Sequence, residues 1–401
     1  MRTIIKNIKT LAGICNKTRL QGSEMSELGA ISNAWLCIED DRILDFGKME
    51  DINDYANCEN IIDATDRIVL PSWCDSHTHI VYAGSRETEF IDKIKGMSYA
   101  EIAKRGGGIL NSADKLHNTS EDELYLQASR RAWEMIAKGT GCIEIKSGYG
   151  LSTEDELKML RVIQRMKETL PVRIVSTFLG AHAVARNMSQ PEYIDLIINE
   201  LADYIDVFCD TGFFTPTETA RMLEAGAKWG MRPKIHADEL ASSGGVEVGV
   251  AHNALSVDHL ESMADEQINT LRGTDTMPTA LPGTSFFLNM PFVPARKMID
   301  SGLGIAVASD YNPGSTPSGD MKFIVSLACI KMRLLPEEAI NAATINSAFA
   351  MGLSKDYGSI SKGKVANMFI TQPIPSIEFI PYAYTTPIID KIFLKGKEIT
   401  I

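Results

Sequence analysis

Short apolar runs recur along the middle of this 401-residue chain, separated by stretches whose apolar residues fall every three or four positions. The runs "RIVLPSWCDSH", "GCIEIKSG", "VRIVSTFLGAH", "YIDVFCD", "RPKIHAD", "LSVDHL", "DTMPTALPG" and "GIAVASD" read as strands. Between them, "EDELYLQASRRAWEMIAKG" (121–139) and "STEDELKMLRVIQRMKETL" (152–170) carry helical spacing, and "PTETARMLEAGAKWG" and "GGVEVGVAHNA" fit shorter helices. Thr153 stands three residues before Glu156, so a capping box is expected to open the second helix. Strand runs rich in Val, Ile and Phe, each followed by a helix, imply a parallel sheet. Eight such units predict an α/β fold closed into a (β/α)8 TIM-like barrel, with a doubly wound open sheet as the alternative.

The two ends are patterned differently. "AWLCIEDDRILDFGKM" is two β-rich runs around "EDDR", and "KVANMFITQPI" and "DKIFLKGKEITI" are further apolar strands between turn residues. Neither end is large enough to hold a good core alone. Residues 1–66 and 357–401 are therefore expected to share one small composite β-sandwich domain, with 67–356 as the barrel.

Composition narrows the partners. The 52 acidic residues against 40 basic ones give a formal charge of −12, which disfavours non-specific nucleic-acid binding. No run approaches the length of a membrane-spanning helix, and "MRTIIKNIKTLAG" is too often interrupted by charge for a signal peptide, so no membrane association and a cytoplasmic location are expected. Seven cysteines, scattered and without a CxxC, argue against a disulfide scaffold or a thiolate zinc site.

The chemistry lies in what ends each apolar run. Asp75-Ser76-His77-Thr78-His79, Lys146, His182, His236 with Glu239, His259 and Asp310 all follow strand-like segments, and five of the seven histidines are among them. On a strand, residues two apart share a face, so His77 and His79 converge. In a barrel all of these positions meet on one rim. His77, His79, His236 and Asp310 supply three imidazole nitrogens and a carboxylate, a ligand set for a divalent Lewis acid that lowers the pKa of water. Glu239, three residues past His236, is placed to shuttle a proton. His259 is either a further ligand or, preferably, a base or electrophile beside the attacked carbonyl.

The segments "DATDRIVLPSWCDSHTHIVYAGSRETEF", "HADE", "SVDHLE" and "SDYNPGS" resemble the amidohydrolase superfamily. Together with "GGGIL", "EIKSGYGL", "TFLGAHA", "DVFCDTGFF" and "MPTALPGTSFFL", they are similar within it to the imidazolonepropionase family of histidine degradation. That resemblance implies hydrolysis of 4-imidazolone-5-propanoate to N-formimidoyl-L-glutamate, zinc or iron as the metal, and a homodimer. It places metal ligands on His77, His79, His236 and Asp310, and substrate contacts on Arg86, Tyr149, His182, Glu239, Asn312, Gly314 and Ser315.

The planar fork of Arg86 suits a carboxylate. The turn 312–315 is expected to offer an amide and backbone N–H groups to the same end of the substrate. Lys146 stands where relatives with two metals carry a carboxylated lysine; a mononuclear site leaves it structural or a charge partner. Ala366-Asn367 departs from the family's usual Ala-Asp, outside the catalytic positions. "RGGGI" (105–109) lacks the strand–GxGxxG–helix context of a dinucleotide fingerprint and reads as a mobile loop near the pocket mouth. Two other functions use the same polar residues: deamination of a cyclic amidine such as a nucleobase, and non-catalytic metal binding on the same fold.

Overall fold

The computed structural model describes residues 2–52, 58–97, 101, 107–183 and 202–400. Five strands come first: β1 (Arg2–Ile14), β2 (Gly29–Glu39), β3 (Arg42–Lys48), β4 (Asn60–Asp63) and β5 (Ile68–Pro71). The β2–β3 pair is the antiparallel hairpin expected around "EDDR". Eight barrel strands follow: β6 (Trp73–Asp75), β7 (Thr140–Lys146), β8 (Arg173–Ala181), β9 (Tyr204–Cys209), β10 (Arg232–Ala237), β11 (Ser256–His259), β12 (Met277–Ala280) and β13 (Ala306–Val307). The chain ends in β14 (Met368–Thr371), β15 (Ile389–Leu394) and β16 (Lys397–Glu398).

Strands β6 to β13 pair in chain order and in parallel, as a (β/α)8 barrel requires. Closure is made just beyond the named strands. The Asp310 N–H donates to His77 O and the His79 N–H to Tyr311 O, both at 3.0 Å. Below them the Asp75 carboxylate accepts from Ser309 N at 2.9 Å and Ser309 Oγ at 2.5 Å. The seam of the barrel thus runs through the segment that carries the paired histidines.

The terminal strands form one sheet in the order β16-β15-β14-β5-β1-β2-β3, with β4 beside β1. Strand β5 corrects the reading of "RIVLPSWCDSH" as one barrel strand. Ile68–Pro71 pairs with β1 and β14, and the chain changes sheets at Ser72, whose N–H donates to Asn367 O at 3.0 Å. Apolar periodicity records that a run is buried on both faces, not which sheet its edges join. Asn367 is part of this junction: its amide donates to Gly141 O at 3.1 Å and accepts from Lys395 N at 2.7 Å.

The outer helices bury the faces that their spacing predicts. Helix Glu121–Ala137 turns Leu124, Ala128, Ala132, Met135 and Ile136 inward, and Ser120 caps its N-terminus. One large apolar core joins the barrel wall to these helices, and a second lies within the terminal sheet around Ile5, Leu36, Val69 and Phe393. Trp73, fully buried at the start of β6, packs its ring 5.1 Å from that of Phe369 of β14 and joins the two layers.

Asn346 ties the N-terminal segment to the barrel. Its amide donates to Leu20 O and Ile305 O, both at 3.0 Å, and accepts from Leu20 N at 2.8 Å, with no exposure to solvent. Asn346→Ala strands three buried backbone groups and is expected to cost about 2–4 kcal/mol in urea or thermal unfolding. A loss within the error of the measurement would show that water replaces the amide.

Candidate functional site

Closure of the barrel places His77, His79 and Asp310 side by side. The two imidazole Nε2 atoms are 3.2 Å apart, and each lies 3.6 Å from Asp310 Oδ1. His236, near the end of β10, brings its ring centroid to 4.5 Å from that of His77 and 5.5 Å from that of His79. His259 ends β11, 5.2 Å from His236 and 5.5 Å from His77 by the same measure.

Two donor triads result, His77–His79–Asp310 and His77–His236–His259, each with its ligand atoms within 4.8 Å of one another. They share His77. Burial lowers the pKa of His77 and of His79 well below the usual imidazole value, which keeps both rings neutral at pH 7. Neutral imidazole is the form that binds a metal. Among the described residues neither ring nitrogen of the buried His236 has a hydrogen-bond partner, which leaves its Nε2 lone pair unspent inside this cluster. Nitrogen and carboxylate donors so arranged fit a divalent cation.

A second layer fixes the rings. His77 Nδ1 lies 2.8 Å from Asp258 Oδ2, and His236 Nδ1 lies 3.0 Å from Asp206 Oδ2, so both rings are gripped from the side away from their Nε2 atoms. Lys146 Nζ bridges these acids. It donates to Asp206 Oδ2 at 2.7 Å and Glu144 Oε1 at 2.8 Å, and stands 3.4 Å from Asp258 Oδ2. Lys234 completes the set through Glu144, Ser76 O and Ala350 O.

All five side chains are shut off from solvent. Burial disfavours the Lys146 ammonium, but Asp206, Glu144 and Asp258 outweigh it and hold its pKa above the ordinary lysine value. Burial likewise disfavours the Asp206 carboxylate, and His236 and Lys146 overcome that to hold it below the usual range. Lys146, expected to be structural or a charge partner, is thus bonded to acids that orient the histidines. Glu144, Asp206, Lys234 and Asp258 were not singled out from the sequence. Their signal was present: polar residues at alternate positions inside apolar runs ("CIEIK", "YIDVF", "PKIHA", "SVDH") face the barrel interior.

The loops beyond the strands hold the remaining residues. Thr284 Oγ1 and Ser315 Oγ donate to Asp310 Oδ2 at 2.6 and 2.9 Å, so the Ser315 hydroxyl supports Asp310. The N–H groups of Gly314 and Ser315, expected to face a carboxylate, donate instead to Asn312 Oδ1 at 2.7 and 2.9 Å. The Asn312 side chain closes its own turn, as short amides do. Arg86 Nη1 comes close to Gly314: a Cβ there would lie 2.5 Å from it, and the guanidinium would have to shift.

Asp238, His259, Leu260 and Asp310 adopt positive φ without being glycine, at +52°, +83°, +73° and +54°. Strain of this kind gathers where geometry serves chemistry.

The Tyr149 loop is organised by Glu156, which corrects the capping-box expectation. Ser152, in extended backbone one residue before Thr153, caps the helix by accepting from Asp155 N at 3.2 Å. Glu156 is thereby free to turn back and accept from Gly148 N at 3.0 Å and Gly150 N at 2.7 Å. Gly148, at φ +109°, has no room for a Cβ beside His182 Nδ1, which lies 3.2 Å from Gly148 O. Burial lowers the pKa of His182 to about 3, so its ring is neutral and limited to one donor. Of the "RGGGI" segment, Arg105 and Gly106 lie outside the described residues; Gly108 N donates to Glu89 Oε1 at 3.0 Å.

One cavity of about 630 Å³ is lined by every residue expected at the site except His77, which lies buried beneath it. Glu239 faces His259 across 3.6 Å, and Glu261 lies 3.4 Å from the other ring nitrogen. Burial, reinforced by Glu261 and Asp310 and opposed by His259, lifts the Glu239 carboxyl to about 7. Burial opposes the His259 imidazolium, and Glu239 and Glu261 reverse it and raise its pKa. A carboxyl lifted to about 7 can take up and release a proton near neutral pH, beside an imidazole held in its charged form. Arg86, in the same lining, donates from Nε to the buried Ser112 Oγ at 2.8 Å, with its guanidinium carbon 5.8 Å from the centre of the Tyr149 ring.

Residues 68–399 match the amidohydrolase family, and the chain belongs to that family. Within it the chain falls among the imidazolonepropionases. It is 55% identical to the imidazolonepropionase of Christiangramia forsetii over 99% of this chain and 100% of that protein. It is 54% identical to that of Flavobacterium johnsoniae with the same coverage. The fold is shared more widely: a crystal structure of atrazine chlorohydrolase from Arthrobacter aurescens superimposes with a TM-score of 0.75 at 14% identity, covering 99% of this chain and 94% of that one.

The second layer makes a direct prediction. Asp258→Asn removes the charge that grips His77 while keeping its shape, and should weaken zinc or cobalt binding about 10–100-fold. Competition against a chromophoric chelator measures this; unchanged affinity would show that the His77 ring is held by packing alone.

Proposed function

We propose that the protein opens the lactam ring of 4-imidazolone-5-propanoate by hydrolysis, giving N-formimidoyl-L-glutamate in histidine degradation. One observation carries the reading: a single cavity is lined by the donors His79, His236 and Asp310, by Glu239 and His259, and by the Arg86 guanidinium, with His77 buried in the same donor cluster. The named relatives support the same substrate.

His77, His79, His236 and Asp310 are the residues that would hold a divalent ion, which supplies a Lewis acid for the ring carbonyl and acidifies water. Glu239 takes a proton from the attacking water and delivers it to the ring nitrogen as the C–N bond breaks. His259, facing Glu239, stabilises negative charge developing on the carbonyl oxygen. Arg86 takes the propanoate carboxylate, so binding energy far from the reacting carbon orients the ring. His182 and Tyr149 flank the ring position. Asn312, Gly314 and Ser315 shape the carboxylate end and brace Asp310.

Zinc or iron, a homodimer and a cytoplasmic setting complete the proposal. The imidazole-rich donor set suits either metal. The dimer rests on family resemblance alone. None of the seven cysteines is in a disulfide, and among the described residues no helix is long and apolar enough to cross a membrane. Deamination of a cyclic amidine is the competing reading, and it leaves Arg86 without an anionic partner.

Removing the proton carrier tests the assignment. Glu239→Gln should lower kcat on imidazolonepropanoate about 10²–10⁴-fold with metal content unchanged, followed by loss of substrate absorbance. Turnover of cytosine in place of imidazolonepropanoate by the wild type would overturn the reading.

A further inference from the structure

Besides the donor cluster, the cavity is lined by two cations, Arg86 and Lys93. Arg86 precedes the helix Glu87–Ile94, and Lys93 lies near the end of that helix. Lys93 Nζ donates to Gly314 O at 2.8 Å, and a Cβ placed on Gly314 would lie 2.5 Å from Arg86 Nη1. The two side chains therefore reach the same point of the turn 312–315 from one helix.

Among the described residues neither is paired with a carboxylate. Arg86 spends Nε on Ser112, and its Nη2 is buried with no partner. Lys93 has three donors and spends one on Gly314 O. Glu89, the acid of this helix that lines the cavity, accepts instead from Gly108 N and Asn111 Nδ2. Burial and the Arg86 charge both lower the pKa of Lys93 from the ordinary lysine value, so holding the two cations together is unfavourable until an anion arrives. The N–H groups that would otherwise meet an anion at this turn are consumed by Asn312.

We propose that Lys93 is a second carboxylate-binding residue, which takes one oxygen of the substrate's acid tail while Arg86 takes the other. The inference rests on the proposed function for the identity of the substrate, but not for the chemistry recognised, which is a carboxylate. It assigns specificity to a residue outside the expected contact set. Substrates without an acid tail leave two cations facing each other in a half-buried pocket and are disfavoured.

The test compares two unreactive probes, imidazolepropanoate and its carboxamide, bound to the holoenzyme by titration calorimetry. For K93M, affinity for the acid should fall about tenfold or more, the scale of one charge-assisted hydrogen bond, while the carboxamide binds both proteins equally. K93R should recover most of the loss, and K93Q serves if K93M is poorly folded. Equal weakening of both probes would reduce Lys93 to a latch on Gly314, and no weakening of either would remove it from the site; each overturns the inference and leaves the proposed function standing. Failure of the wild type to bind the acid probe or to hydrolyse imidazolonepropanoate would instead overturn the proposed function, and the inference with it.

Discussion

Everything at the rim of this barrel depends on a buried set of opposite charges beneath it. Two ammonium groups, Lys146 and Lys234, are held among Glu144, Asp206 and Asp258, all without access to water. Desolvating five such groups is costly, and burial of this kind adds little to stability by itself. Its value is positional. Asp258 stands 2.8 Å from the inner nitrogen of His77, and Asp206 accepts from His236 N and stands 3.0 Å from its inner ring nitrogen; an acid that is itself held by a lysine cannot swing away. Acids outnumber ammonium groups in this set by one, before Asp310 is counted. The excess of negative charge is what a cation at the histidine cluster would offset.

The barrel seam serves the same end. Asp310 and His77 exchange a backbone hydrogen bond, so the first and last strands cannot separate without pulling two donors of one triad apart. Sheet closure and site assembly are one event. The loops then act on what the seam has set: Thr284 and Ser315 hold the Asp310 carboxylate, and Glu156 shapes the Gly148–Gly150 turn that presents Tyr149. The cavity above is lined by groups that can move a proton, Glu239 and His259, and by the positive charges of Arg86 and Lys93.

Much of this was legible in the chain. Eight apolar runs with intervening helical spacing give the barrel, and polar residues at the run ends give the rim, because strand ends are where periodicity stops being dictated by the core. Less legible was anything that depends on which partner a residue finds. Ile68–Pro71 has the composition of a barrel strand and belongs to the terminal sheet. Thr153 and Glu156 have capping-box spacing, yet Ser152 takes the cap and Glu156 turns to the neighbouring loop. Asn312 reads as a ligand contact and is spent on its own turn. Lys93, in the last turn of a charged helix, looks like a solvated residue until the fold brings Gly314 against it.

The central claim is that residues distant in the chain meet around one cation. Anomalous diffraction from crystals of the purified protein, recorded across the zinc and iron absorption edges, tests it most directly. The account predicts one strong peak per chain within bonding distance of His77, His79, His236 and Asp310. A peak elsewhere, or none in protein that still hydrolyses the substrate, would contradict it.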